Sequence, residues 1–306
     1  MGERVKVLFI MGHGSSGTTI LGNTLGEADG VFHAGELRTI WAEGLAGTQQ
    51  CGCGRSLAEC PVWSAVIADG FGELNPGDIA RFARLHRWTI RVRNTGRILR
   101  ASPGELGNWS ALQTYADVAS RLYRAVGTVT GARVVVDSSK RTGDAALLRL
   151  LPDVDPYVLH VVRDPRAVAY SWSSRSAEAP SQLATAGEWL AFSSIGEAVK
   201  WRLGPGRSLV VRHEDFVATP ARTVERILRF AGLADVAVPV VGERTVEFGE
   251  NHTVAGHWSR FNRGPTDIRL ATDWRSKQRP ADRRLVTAVT LPLLPRYGYP
   301  IRTESG

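Results

Sequence analysis

Lysine is scarce in this chain. Lys6, Lys140, Lys200 and Lys277 are the only four among 38 basic residues, so the net charge of +8 rests on arginine. An arginine-borne positive balance favours an anionic ligand, a nucleic acid or an anionic membrane surface, without choosing among them. Long apolar runs are also missing. The N-terminal run is broken at Gly12 and His13, too early for a signal h-region, and no stretch reaches the roughly 18 apolar residues of a spanning helix. Lys6 stands where a myristoylation site after Gly2 wants Ser or Thr. The expectation is a soluble, cytoplasmic protein. Cysteine is limited to Cys51, Cys53 and Cys60. No second CxxC and no close HxxxH pair supplies a fourth metal ligand, so a structural or incidental role is expected ahead of zinc or a redox disulfide. Repeats and low-complexity linkers are absent, which favours a single domain over residues 1–306.

What is present is ordinary globular material: 43% apolar and 22% charged residues exclude wholesale disorder. Short Val-rich runs recur in "VKVLFIMG", "ARVVVDSSK", "YVLHVVRDP" and "SLVVRHEDF". Unalternating runs of this length suit strands buried on both faces, and the helical patterns between them predict a parallel α/β sheet flanked by helices. Each run ends in polar residues: Gly12–Thr19, Asp137–Lys140, Arg163–Arg166 and His213–Asp215. Ligands of such sheets sit beyond the carboxyl ends of the strands. Residues at about 70–130 read instead as an inserted helical layer over the site. It comprises two helical segments, 75–101 and 108–127, the first opened by the cap "NPGD". The first carries Arg81, Arg84, Arg87, Arg91, Arg93, Arg97 and Arg100 beside apolar Ile79, Phe82, Leu85 and Trp88. That pattern fits a solvated basic face, a lid over an acidic acceptor, or a peripheral contact with anionic lipid. No nucleic-acid reader motif accompanies the charge.

The stretch "LFIMGHGSSGTTILGNTLG" runs from strand through a glycine loop into a helix. Gly12 and Gly17 have the separation of a phosphate loop, but Thr18 replaces its lysine. Backbone N–H groups of Gly14, Ser15, Ser16, Gly17, Thr18 and Thr19 can converge on an anion, with hydroxyl donors added. Without the ammonium that grips β- and γ-phosphates, a nucleoside triphosphate is disfavoured. In "HVVRDPRAVAYSW", Arg163 leaves a strand and Ser171 follows eight positions on, about two helical turns away. A guanidinium fork with a hydroxyl suits a phosphate monoester.

Together these segments resemble the sulfotransferase family that uses PAPS (3′-phosphoadenosine 5′-phosphosulfate). "SSGTT" at Ser15–Thr19 is similar to that family's (K/R)SGTT loop for the 5′-phosphosulfate. Arg163, Pro165 and Ser171 fit its R-x-P-x-x-x-x-x-S motif for the 3′-phosphate. "WSRFNRG" at Trp258–Gly264 resembles the Arg/Lys-Gly segment that closes on that phosphate. The motifs run in order over residues 8–264. The resemblance implies a P-loop-type fold and PAPS as sulfuryl donor, bound by the Gly14–Thr19 loop, Arg163, Ser171, Arg260, Arg263 and Gly264. It implies an acceptor hydroxyl, on a small molecule, lipid or carbohydrate, and no metal in the reaction. "FHAGELRTIW" places Glu36 where relatives of this kind carry a general base, and Lys140 sits where the family keeps a strand-end lysine. Two departures stand out: Ser15 replaces the loop's first basic residue, and Asn262 replaces a basic residue of the third motif. Two rivals remain open at this stage. One is a P-loop kinase or hydrolase using ATP and Mg²⁺ with Asp137 as metal partner; the other is a PAPS-binding protein of little or no turnover.

Overall fold

The computed structural model describes residues 4–47, 49–174, 178–269 and 271–301. Its central sheet has five parallel strands: β1 (Val5–Gly12), β2 (Val31–Gly35), β3 (Val134–Lys140), β4 (Val154–Val162) and β5 (Ser208–Arg212), in the order β2-β3-β1-β4-β5. Strand β1 shows why the apolar run does not alternate. Val7, Phe9 and Met11 point into one core and Leu8 and Ile10 into another, on the opposite face. Both faces of the sheet are therefore covered, as the Val-rich runs predict. The edge strand β2 is not among those runs, because five residues containing His33 and ending in Gly35 carry too little β-branched signal.

Helix α1 (Thr18–Gly26) follows β1. Between β2 and β3 lie α2 (Pro61–Phe71), α3 (Pro76–Thr89), α4 (Thr95–Arg100) and α5 (Ser110–Thr130). The Asn75 cap is real: its side chain accepts from the amides of Gly77 and Asp78 while Asp78 accepts from the Asn75 amide. The arginine-rich segment is not one helix, however. It breaks after Thr89, where Ile90 leaves the helical region and Asn94 donates to the carbonyls of Trp88 and Thr89. A side-chain donor there satisfies the carbonyls that a continuing helix would have used. Arg91 then stacks on Trp88 and Arg97 on Trp109.

The remaining helices are α6 (Thr142–Leu148) after β3, α7 (Pro165–Ser173) and α8 (Gln182–Leu203) after β4, and α9 (His213–Ala218) and α10 (Pro220–Phe230) after β5. The region after Phe248 supplies β7 (Gly264–Asp267), which pairs antiparallel with β6 (Thr245–Phe248). A long loop joins these two strands and reaches back to the end of β2. Helices α11 (Trp274–Lys277) and α12 (Pro280–Thr290) complete the order. Among the described residues, no helix is long and apolar enough to cross a membrane.

Candidate active site

The strand order puts the glycine loop at the centre of the carboxyl edge, since β1 has β3 and β2 on one side and β4 and β5 on the other. Gly17 has φ +77°, and a Cβ there would lie 2.5 Å from the His213 ring, so both the left-handed turn and the close approach demand glycine. It caps α1 without a side chain, which leaves the first-turn N–H groups of a nine-residue helix for a ligand. Two loop carbonyls are turned toward α7: Arg163 Nη1 donates to Ser15 O at 2.7 Å, and Trp172 Nε1 to Gly14 O at 3.4 Å. The Ser16 amide is engaged inside the loop, donating to His13 O at 3.2 Å. It therefore leaves the set of amides that the sequence offered to an anion. The Ser16 hydroxyl, by contrast, is buried with no hydrogen-bond partner among the described residues. An orphaned hydroxyl inside an amide loop at a helix start fits a ligand that brings its own acceptors. Burial, reinforced by the Arg163 charge, holds the His213 imidazole down at about 3, so this neighbour of the loop is neutral at physiological pH.

On the β2–β3 side stand the two predicted catalytic residues, and the fold joins them. Lys140 Nζ pairs with Glu36 Oε1, and Arg38 Nη2 lies 3.2 Å from Glu36 Oε2. Lys140 occupies the left-handed region at φ 71°, where the β1–β3 register shifts, as does Ser15 at φ 67°. Non-glycine residues there cost about 1 kcal/mol or more and cluster at functional sites. Glu36 is fixed by its backbone, donating its amide to Val254 O at 2.6 Å. That contact needs Gly35, whose φ is +81° and whose Cβ would fall 2.3 Å from the same carbonyl.

Asp137 is held within the core. It is buried inside β3, accepting from Tyr123 Oη at 2.5 Å and from the Ser139 amide at 2.7 Å. Both oxygens are engaged from within the core, which removes the support for a metal-holding aspartate. On the β4 side, Arg163 is 8% exposed, and Ser171 is half-buried in the last turn of α7 next to Trp172. Arg163 also borders a basic cavity of about 1580 Å³ that includes Arg212, Arg275 and Arg283.

The third motif is placed on the other flank. Arg260 donates to Gly256 O at 2.8 Å and Gln50 O at 3.3 Å, and Arg263 to Gly52 O at 2.6 Å. These guanidiniums brace the Cys51 loop, while Arg163 braces the glycine loop. Gly264 opens β7 opposite Phe248. A link to the start of α1, just past the glycine loop, comes from the His257 amide, which donates to Thr19 Oγ1 at 3.4 Å.

Sequence reasoning placed a helical layer over the site but missed the opposing wall of a cavity of about 890 Å³ that lies between α3 and the turn that follows Glu36. Its walls include Trp41, Leu45, Ile79 and Ala83, and its polar groups include Arg38, Arg84 and His86. His86 Nε2 lies 2.9 Å from Asp144 Oδ1. The arginine pattern on α3 hinted at this hollow, but the opposing wall comes from another part of the chain. Sequence reasoning also missed His252. It stands with Cys51, Cys53 and Cys60 so that one ligand atom of each lies within 4.8 Å of the others. The expectation that the cysteines lack a fourth partner is thereby corrected, because spacing rules see only ligands near in sequence.

Residues 72–236, more than half of the chain, match the family model described as "Sulfotransferase family". Among solved structures, the sulfotransferase domain of the Synechococcus PCC 7002 olefin synthase is similar over 98% of this chain and 97% of its own, with TM-score 0.55 and 20% identity. The sulfotransferase domain from the curacin biosynthetic pathway is similar over 98% of this chain and 100% of its own, with TM-score 0.57 and 15% identity. At these identities the likeness is one of fold. No curated protein sequence matches significantly.

Proposed function

The chain belongs to the sulfotransferase family, and from that premise we propose that it transfers the sulfuryl group of PAPS to an acceptor hydroxyl, giving a sulfate ester and 3′,5′-ADP. The observation that carries this reading is the arrangement along one sheet edge: an anion loop at the centre, the Glu36–Lys140 pair on one side and Arg163 on the other. Two separated anionic groups of one nucleotide match two separated sets of donors, whereas a triphosphate needs a contiguous grip and a metal.

The acceptor oxygen attacks sulfur as the bond from sulfur to the bridging phosphate oxygen breaks. Glu36 takes the acceptor's proton. Lys140, attracted from Glu36 to the phosphosulfate, offsets charge on the sulfuryl oxygens and the leaving phosphate, and its departure frees Glu36 Oε1 to accept. Lys140 thereby covers for the missing basic residue at Ser15. The 3′-phosphate falls to Arg163 and Ser171, with the loop that carries Arg260, Arg263 and Gly264 closing over the nucleotide. The acceptor enters by the cavity under α3, whose apolar walls and arginine rim suit an apolar molecule bearing an anionic group.

The test has two arms. 3′,5′-ADP should raise the melting temperature far more than ATP with Mg²⁺ does; the reverse order would point to a kinase or hydrolase. Radiolabelled PAPS incubated with a cell extract should yield a sulfated product identifiable by mass. Nucleotide binding without transfer would leave a PAPS-binding protein.

A further inference from the structure

We propose that Cys51, Cys53, Cys60 and His252 hold one zinc ion in a closed tetrahedral site that clamps His252 to the 51–60 loop. The Sγ atoms of Cys51 and Cys60 lie 3.9 and 3.3 Å from His252 Nδ1, and all four ligand atoms fall within 4.8 Å of one another. Zinc bonds of about 2.3 Å to sulfur and 2.0 Å to nitrogen set tetrahedral ligand separations at roughly 3.5–3.8 Å, so small side-chain adjustments suffice.

The surrounding backbone is shaped for the task. Cys51 to Gly54 form a tight turn, with the Gly54 amide donating to Cys51 O at 2.8 Å, and Cys60 caps α2 just before Pro61. The remaining imidazole nitrogen, Nε2, faces Glu250 Oε1 at 3.8 Å, the carboxylate partner that orients a metal-bound histidine. The His252 carbonyl is held by Trp63 Nε1 at 2.6 Å. Three thiolates and an imidazole are a soft set that selects zinc among common divalent ions. Four protein ligands leave no open position, so the role is structural and no reaction step runs through the metal.

The clamp bears on the active site through its neighbours. The Gly52 amide donates to Thr253 O at 3.0 Å, Val254 N to Ala34 O at 2.8 Å, and Glu36 N to Val254 O at 2.6 Å. Arg260 and Arg263 donate to Gln50 and Gly52 of the same cysteine loop. One ion would therefore steady both the Glu36 segment and the third motif. The metal site stands apart from the activity; only this consequence rests on the proposed sulfotransfer.

The full chain, expressed with zinc supplied, should contain one equivalent of zinc by plasma mass spectrometry. Cys53→Ser, at the half-buried cysteine, and His252→Ala should each lose most of it. Cobalt(II) exchanged into the protein should show the intense visible bands of tetrahedral sulfur-rich coordination. Chelation should lower the melting temperature of the parent protein but not of His252→Ala. Zinc content no higher than in the variants, iron in its place, or a Cys51–Cys60 disulfide found by mass mapping would each overturn the site. Zinc lost with turnover unchanged, in a protein that does transfer sulfate, would overturn the positioning consequence alone.

Discussion

Glu36 and Lys140 form an ion pair across the carboxyl ends of the neighbouring strands β2 and β3. A carboxylate and an ammonium so placed can divide between them the two charges of a sulfuryl transfer. Glu36→Gln keeps the size and can still accept from Lys140, but cannot take up the acceptor's proton. Turnover should fall by about 10²–10⁴-fold, the ordinary worth of a positioned base. Calorimetric affinity for 3′,5′-ADP should stay within a small factor. Unchanged kcat removes Glu36 from that role.

Arg163 links the end of β4 to Ser15 O and is assigned the 3′-phosphate. Arg163→Ala should weaken 3′,5′-ADP by about tenfold or more, as expected for loss of a charge-assisted contact. Adenosine 5′-phosphosulfate, which lacks the 3′-phosphate, is the control and should lose much less. Equal losses for both nucleotides would mean that Arg163 only braces the loop.

The cavity under α3 is testable by filling it. Ala83 lines it and is half-buried, so Ala83→Trp should raise the acceptor KM strongly while leaving the PAPS KM unchanged. If both constants are unchanged, the acceptor enters elsewhere.

Acid stability follows from buried imidazoles. Burial holds His33, His160 and His213 at about 3, against about 6.5 in the unfolded chain. As pH falls below about 6.5, the unfolded state takes up protons that the folded state refuses. Stability then declines by up to about 1.4 kcal/mol per pH unit for each histidine. Asp137 works the other way. Burial pushes it up to about 6, so between about 6 and 4 the folded state binds its proton and gains stability as pH falls. Three groups outweigh one, and the melting temperature should drop steadily from about pH 7 to pH 5. A flat or rising profile would contradict the burial of neutral histidines. His213→Gln should remove one of the three contributions and shallow the slope.

The chain's order of residues was enough to determine the parallel sheet, the glycine loop after β1 and the polar strand ends, because these depend on local patterns: apolar runs, glycine spacing and helix caps. Glu36 and Lys140 were each legible singly, from the residues around them. Their pairing was decided by the strand order, which sets β2 beside β3 although about a hundred residues separate them. Tertiary structure alone also broke the arginine-rich helix at Ile90, turned Asp137 inward to Tyr123, tied Arg260 and Arg263 to the cysteine loop, and carried His252 to Cys51, Cys53 and Cys60. Contacts of that kind arise when distant segments meet, and no local period or spacing encodes where a loop of the β6–β7 connection will land.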